Sequence, residues 1–157
     1  MGSSLHSNIN LTSSLIAPCG MNCGLCLGYH RIKNKCAGCQ SASLNKPNHC
    51  IDCSIKNCEF LSSGKSKFCF TCHKYPCKRI KNLDNRYRTK YGMSMIENLN
   101  TIKEIGIRKF ILKEKQKWTC AKCGSVICVH REKCLECGQK RFCKKYSFRS
   151  TTPTLDR

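Results

Sequence analysis

Between Cys19 and Cys77 the chain carries eleven of its seventeen cysteines in fifty-nine residues, nearly all in short-spaced groups. Thiolates at such spacing bind metal. Three groups separate without interleaving: Cys19-x3-Cys23-x2-Cys26, Cys36-x2-Cys39-x10-Cys50-x2-Cys53, and Cys58-x10-Cys69-x2-Cys72-x4-Cys77. The second and third each supply four sulfurs, the number a tetrahedral zinc site takes at roughly 2.3 Å, and a Cys-x-x-Cys turn aims two of them at one point. Further on, Cys120-x2-Cys123-Gly124 and Cys134-x2-Cys137-Gly138 pair as a zinc ribbon, with the x2-x10-x2 spacing already seen from Cys36 to Cys53. The fifteen cysteines of these groups are the expected ligands of about three or four zinc ions. Cys128 and Cys143 are left as small buried hydrophobes or ligands of a further site.

The first group admits other chemistry. Its Cys-x3-Cys-x2-Cys spacing is the one with which radical S-adenosylmethionine enzymes hold a [4Fe–4S] cluster through cysteine thiolates. Those enzymes enclose the cofactor in a barrel of parallel strands and helices, whereas further knuckles follow here in a chain too short for one. In a plainer reading His30 completes a Cys3His zinc site, or one of the three cysteines serves a neighbouring site. An iron–sulfur cluster on Cys19, Cys23 and Cys26, in an iron–sulfur or redox protein, is the alternative to zinc. His49 and His73 adjoin Cys50 and Cys72, and neighbours in extended chain point opposite ways, so both are expected to face solvent.

A disulfide framework is the competing use of so many cysteines, and it requires an oxidising compartment. Residues 1–18 show neither a basic n-region nor a long apolar run, so no secretory signal is expected and the thiols are expected to stay reduced in the cytoplasm. No stretch is apolar enough to span a membrane. No Walker-type phosphate loop or His-Glu-x-x-His motif is present, and the nine acidic residues do not cluster. That leaves little for general acid–base work. An enzyme is therefore not the favoured class.

Large apolar residues are sparse between Cys36 and Cys77, so that segment cannot repay an ordering entropy of about 1–2 kcal/mol per residue. Metal can, at about 10–16 kcal/mol per structural zinc site. The cysteine-free middle reads as helix. A basic helix runs to Tyr91, Gly92 breaks it, and Ser94 with Glu97 has the capping-box spacing. Ile96, Leu99, Ile102 and Ile105 share one face, and Gly106 ends or bends the helix. Next, Ile107, Phe110 and Ile111 line one side of a further helix, while Lys109, Lys113 and Lys117, interrupted by Glu104 and Glu114, form a solvated face. Val126-Ile127-Cys128-Val129 is β-branched and reads as a strand between the knuckles, with Cys128 and His130 on one side.

The expected fold is a small, metal-stabilised, mostly irregular α+β protein. Its parts are a flexible leader (1–15), a cysteine-rich metal-knuckle lobe (16–77), a helical connector (78–117), a zinc ribbon with a basic and aromatic tail (118–149), and a disordered end (150–157). The tail interleaves Lys140, Arg141, Lys144, Lys145 and Arg149 with Phe142, Tyr146 and Phe148, the composition of single-strand stacking platforms. The formal charge is +20. Thiolates on three zinc ions reduce it to about +14, and seventeen thiolates on four zinc ions to about +11. The surplus implies attraction to polyanions, so nucleic acid or a protein partner is expected and a membrane partner is not.

Ala17-Pro18-Cys19-Gly20 with Cys23 and Cys26, Cys36-x-Gly38-Cys39, Cys50-x2-Cys53-x4-Cys58, and Cys69-x2-Cys72 leading to Tyr75-Pro76-Cys77 together resemble the cysteine-rich family catalogued as domain of unknown function 3795. The segment from Tyr91-Gly92-Met93-Ser94 through Trp118 to Cys137-Gly138 is similar to a C-terminal extension that some members carry. The resemblance implies a zinc-binding protein of bacteria and archaea and carries over no activity.

Overall fold

The computed structural model describes residues 10–141. Its longer helices all lie in the cysteine-free middle: α1 (Lys78–Tyr91), α2 (Met95–Ile105) and α3 (Ile107–Lys117). Around them the chain makes single helical turns, including Ser13–Leu15, Cys23–Leu25 and Cys69–Thr71. Antiparallel pairing among the described residues is confined to isolated bridges, Ile16 with Asn22, Thr119 with Val126 and Lys133 with Lys140. The protein is small and helix-rich with little strand. None of the described helices is long and apolar enough to cross a membrane.

The helix boundaries follow local chemistry. α1 stops at Gly92, whose φ of 65° is the left-handed turn-off that glycine adopts without a Cβ penalty, and the Gly92 amide bonds back to the Tyr87 carbonyl. Ser94 then caps α2, its Oγ accepting from the Glu97 amide at 3.1 Å. The same hydroxyl donates to Asp84 of α1 at 2.6 Å, and the Ile96 amide donates to that carboxylate at 3.1 Å. Arg88 pairs with it at 3.3 Å. Asp84 is thereby satisfied although only 2% exposed. One residue, Gly106 at φ 81°, joins α2 to α3.

α2 packs against both α1 and α3, and it also touches the Cys69–Thr71 turn. Its buried stripe is Met95, Asn98, Leu99 and Ile102, close to the expected face, with Ile96 and Ile105 half-buried at its margin. Met95, Ile102, Phe110 and Ile111 pack in one core with Leu11, Leu15, Ile16 and Leu25 from before the helices and with Trp118, Ile127 and Val129 from after them. Both cysteine blocks therefore rest on the same apolar centre. Leu11 and Leu15, assigned by sequence to a flexible leader, are 2% and 6% exposed within it. Residues 1–9 and 142–157, which carry the rest of that leader, most of the aromatic tail and the end expected to be disordered, lie outside the described residues.

Val126–Val129 makes no regular strand. Its Ile127 amide closes the isolated Thr119–Val126 bridge on the Trp118 carbonyl at 2.7 Å, and its Val129 amide goes to the Leu25 carbonyl at 2.8 Å, which extends no ladder. Ile127, Cys128 and Val129 are all buried, so the run has no solvent-facing side on which alternation would show. β-branched residues here fill a core site and do not extend a sheet.

Glu114 also departs from the sequence reading. It is turned away from the lysines of α3, is 3% exposed, and accepts from Asn22 Nδ2 at 3.5 Å. Burial raises its pKa, with Lys117, Asn22 and Trp118 pulling the other way. An acid whose folded pKa is raised binds its proton more tightly when folded. Its stabilising contribution is thus full below the unfolded value of about 4.3 and is lost as pH rises through the folded value. Glu114→Gln removes the buried charge and keeps an acceptor for Asn22. It is expected to raise stability at about pH 7 by on the order of 1 kcal/mol, with no gain below about pH 4. Urea midpoints of the two proteins at both pH values check this.

Candidate metal centres

Cys120, Cys123, Cys134 and Cys137 place their four Sγ atoms within 4.8 Å of one another, the one such gathering of potential ligands among the described residues. Sγ of Cys120 lies 3.6 Å from that of Cys137, and Sγ of Cys123 lies 3.6 Å from that of Cys134. Four sulfurs arranged tetrahedrally at about 2.3 Å from a common ion stand about 3.8 Å apart. A disulfide would close them to about 2.05 Å. The donor set therefore fits a metal and not a cross-link.

The two halves of this site fold alike because each is Cys-x-x-Cys-Gly. The Cys120 amide donates to the Ser125 carbonyl at 2.8 Å, and Gly124 donates to the Cys120 carbonyl at 2.8 Å. In the other half, Cys134 donates to Gln139 at 2.9 Å and Gly138 donates to Cys134 at 3.0 Å. Gly124 and Gly138 have φ of 76° and 71° with nothing near their missing Cβ atoms, so the dihedral rather than crowding calls for glycine. The turn aims amides at sulfur. Those of Cys123 and Lys122 hold the Cys120 thiol below its usual pKa, and the Ser125 hydroxyl, then its amide, bring Cys123 down to about 6. Thiolate, the form that ligates metal, is favoured at these two positions, whereas burial raises Cys134 and, with the neighbouring thiols, pushes Cys137 up to about 11.

In the N-terminal block, Cys58, Cys69, Cys72 and Cys77 line one pocket with Ile55, Leu61 and Tyr75. No three of their sulfurs meet as the ribbon's four do, the ribbon being the one such group among the described residues. Burial pushes the Cys69 thiol up to about 12, and Cys19, Cys58, Cys77 and Cys72 add to the rise. Burial likewise pushes Cys19 up to about 12 and Cys50 up to about 11. A bound divalent cation reverses this, since its charge stabilises the thiolates that otherwise repel one another.

The Cys19–Cys26 loop is positioned by the helices. Ala17 donates to the Met21 carbonyl at 2.8 Å to close the turn, and Asn98 of α2 donates to the Gly20 carbonyl at 3.0 Å. Asn22 accepts from Gly24 at 3.1 Å while donating to Glu114 of α3. The Cys39 amide donates to Cys23 Sγ at 3.3 Å, and the Gly38 amide to Cys36 Sγ at 3.5 Å. The thiol hydrogen bond between Cys23 and Cys39 raises Cys23 and helps hold Cys39 near about 6, where Lys56 and Lys46 work against its burial. Lys56 and Lys46 both donate to the Cys39 carbonyl, at 2.6 and 3.2 Å.

The histidines divide by role. His30 Nε2 donates to the Gly24 carbonyl at 2.8 Å, so a Cys3His site would have to use Nδ1. His130 is wedged between Tyr87 and Tyr91. Its Nδ1 accepts from the Leu27 amide at 3.2 Å, so its Nε2 carries the proton and donates to the Tyr87 hydroxyl at 3.0 Å. Burial lowers its pKa and keeps it neutral. The alternation that drew attention to His130 said nothing of this strut, which ties the ribbon to α1. His49 and His73 are exposed, as expected. Cys128 is fully buried and stands outside the four-sulfur group, and Cys143 lies outside the described residues.

No curated protein and no solved structure matches the chain. Residues 15–82, which span all eleven N-terminal cysteines and the start of α1, match the model of a protein family of unknown function, DUF3795. The match covers the cysteine-rich lobe that the sequence likened to that family.

Proposed function

We propose that this is a zinc-binding protein whose metals are structural. The observation that carries the reading is the meeting of Cys120, Cys123, Cys134 and Cys137 within 4.8 Å. Four protein thiolates fill a tetrahedral sphere and leave no position for water or substrate, which is the mark of a structural rather than a catalytic zinc. The eleven N-terminal cysteines supply the other sites, for about three or four ions in all. Protein purified without oxygen is expected to be colourless and to carry that zinc content, and Cys134→Ser to lower it by about one equivalent. Metal analysis of both proteins checks this. Full zinc retention by the variant removes the ribbon site, and visible colour with iron and acid-labile sulfide replaces zinc by a cluster.

A second reading rests on charge. Lys78, Lys81 and Lys90 of α1 and Lys109 and Lys113 of α3 are exposed, in a chain of formal charge +20. Such a surface attracts nucleic acid or an acidic protein. Single-stranded RNA is expected to be retained at about 50 mM salt, with affinity falling by roughly 0.7 log units per phosphate contact per log unit of salt. Lys109→Glu with Lys113→Glu is expected to flatten that slope by about one to two contacts. Absence of retention by the metal-loaded protein at low salt rules the RNA reading out.

A further inference from the structure

We propose that the Cys19-x3-Cys23-x2-Cys26 motif is divided between two metal ions, Cys23 sharing one with Cys39, while Cys26 shares the next with Cys36. The inference deepens the zinc-binding reading and rests on it. It replaces the partition by sequence neighbourhood, in which Cys36, Cys39, Cys50 and Cys53 close one site.

The Cys36–Cys39 knuckle is where the division shows. In a knuckle that serves a single ion, the turn's amides point at its own leading sulfur, as the Lys122 and Cys123 amides do at Cys120. Here they part company. The Gly38 amide goes to Cys36 Sγ at 3.5 Å, but the Cys39 amide goes across to Cys23 Sγ at 3.3 Å. Cys23 Cβ also stands 4.0 Å from where a Cβ on Gly38 would lie.

Cys36 faces the other way. Its amide donates to the Gly28 carbonyl at 2.9 Å. A Cβ built on Gly28 would stand 3.2 Å from Cys36 Cβ and 3.8 Å from Cys26 Sγ, so those two cysteines look onto the same spot. The Cys36–Cys39 turn thus gives one thiol to either ion, and the two motifs are braced crosswise. Such a division is incompatible with a radical-type cluster, which needs all three thiolates of the first motif on one iron–sulfur cube.

The test is proton–cadmium correlation spectroscopy on the full chain loaded with cadmium-113, in which each metal resonance couples to the Cβ protons of its own cysteines. One resonance is expected to correlate with both Cys23 and Cys39, and another with both Cys26 and Cys36. A resonance coupled to Cys36, Cys39, Cys50 and Cys53 together, or one coupled to Cys19, Cys23 and Cys26 together, overturns the inference. So does a lobe that takes up no cadmium. The ribbon is the internal control: a resonance from Cys120, Cys123, Cys134 and Cys137 beside local pairings in the lobe defeats the division alone, whereas loss of the ribbon resonance as well defeats the metal-binding reading beneath it.

Discussion

Where α2 meets the Cys19–Cys23 loop there is no room for a side chain. A Cβ on Gly20 would come within 2.8 Å of the Met95 carbonyl oxygen and 3.0 Å of Leu99 Cγ, and the φ of 88° is itself one that other residues adopt at a cost. This close approach, fixed by the Asn98 hydrogen bond, turns a helix surface into a wall against which the loop is held. Without it the loop loses its anchor on α2. Trp118, Ile127 and Val129 bring the ribbon to the same apolar centre. The helices make few chemical statements themselves, yet they decide where both sets of sulfurs sit.

The legible features were those encoded by spacing. Cys-x-x-Cys-Gly states its own turn, and the ribbon's four sulfurs come together from two such turns. The helices of the middle segment follow from the recurrence of Ile and Leu and from the Ser94 cap. What stayed hidden depends on partners far along the chain. Asp84 lies among basic neighbours in α1 and looks solvated until Ser94 and Ile96 fold back onto it. Glu114 looks like a break in a lysine stripe, and only Asn22, ninety-two residues earlier, explains its burial.

The cysteines of the first lobe show the same limit in a sharper form. Nearness in sequence assigns Cys36 and Cys39 to one ion because a turn is the cheapest way to bring two thiols together. A turn fixes the separation of its thiols, however, and not the direction from which a third thiol arrives. That direction is set by Gly28 on one side and by the Cys23 turn on the other, and neither is written in the knuckle.

The two lysines on the Cys39 carbonyl change what the chain's charge means. Four thiolates around a divalent ion carry a net charge of about −2, and in a half-buried site that charge is poorly screened by salt. Lys46 and Lys56, donating to the carbonyl of a cysteine in that region, act as built-in counterions. Part of a lysine-rich composition is then internal neutralisation, fixed in place and not available to an outside polyanion. A substitution of either lysine would be felt as a looser grip on metal before it was felt as a weaker grip on any partner.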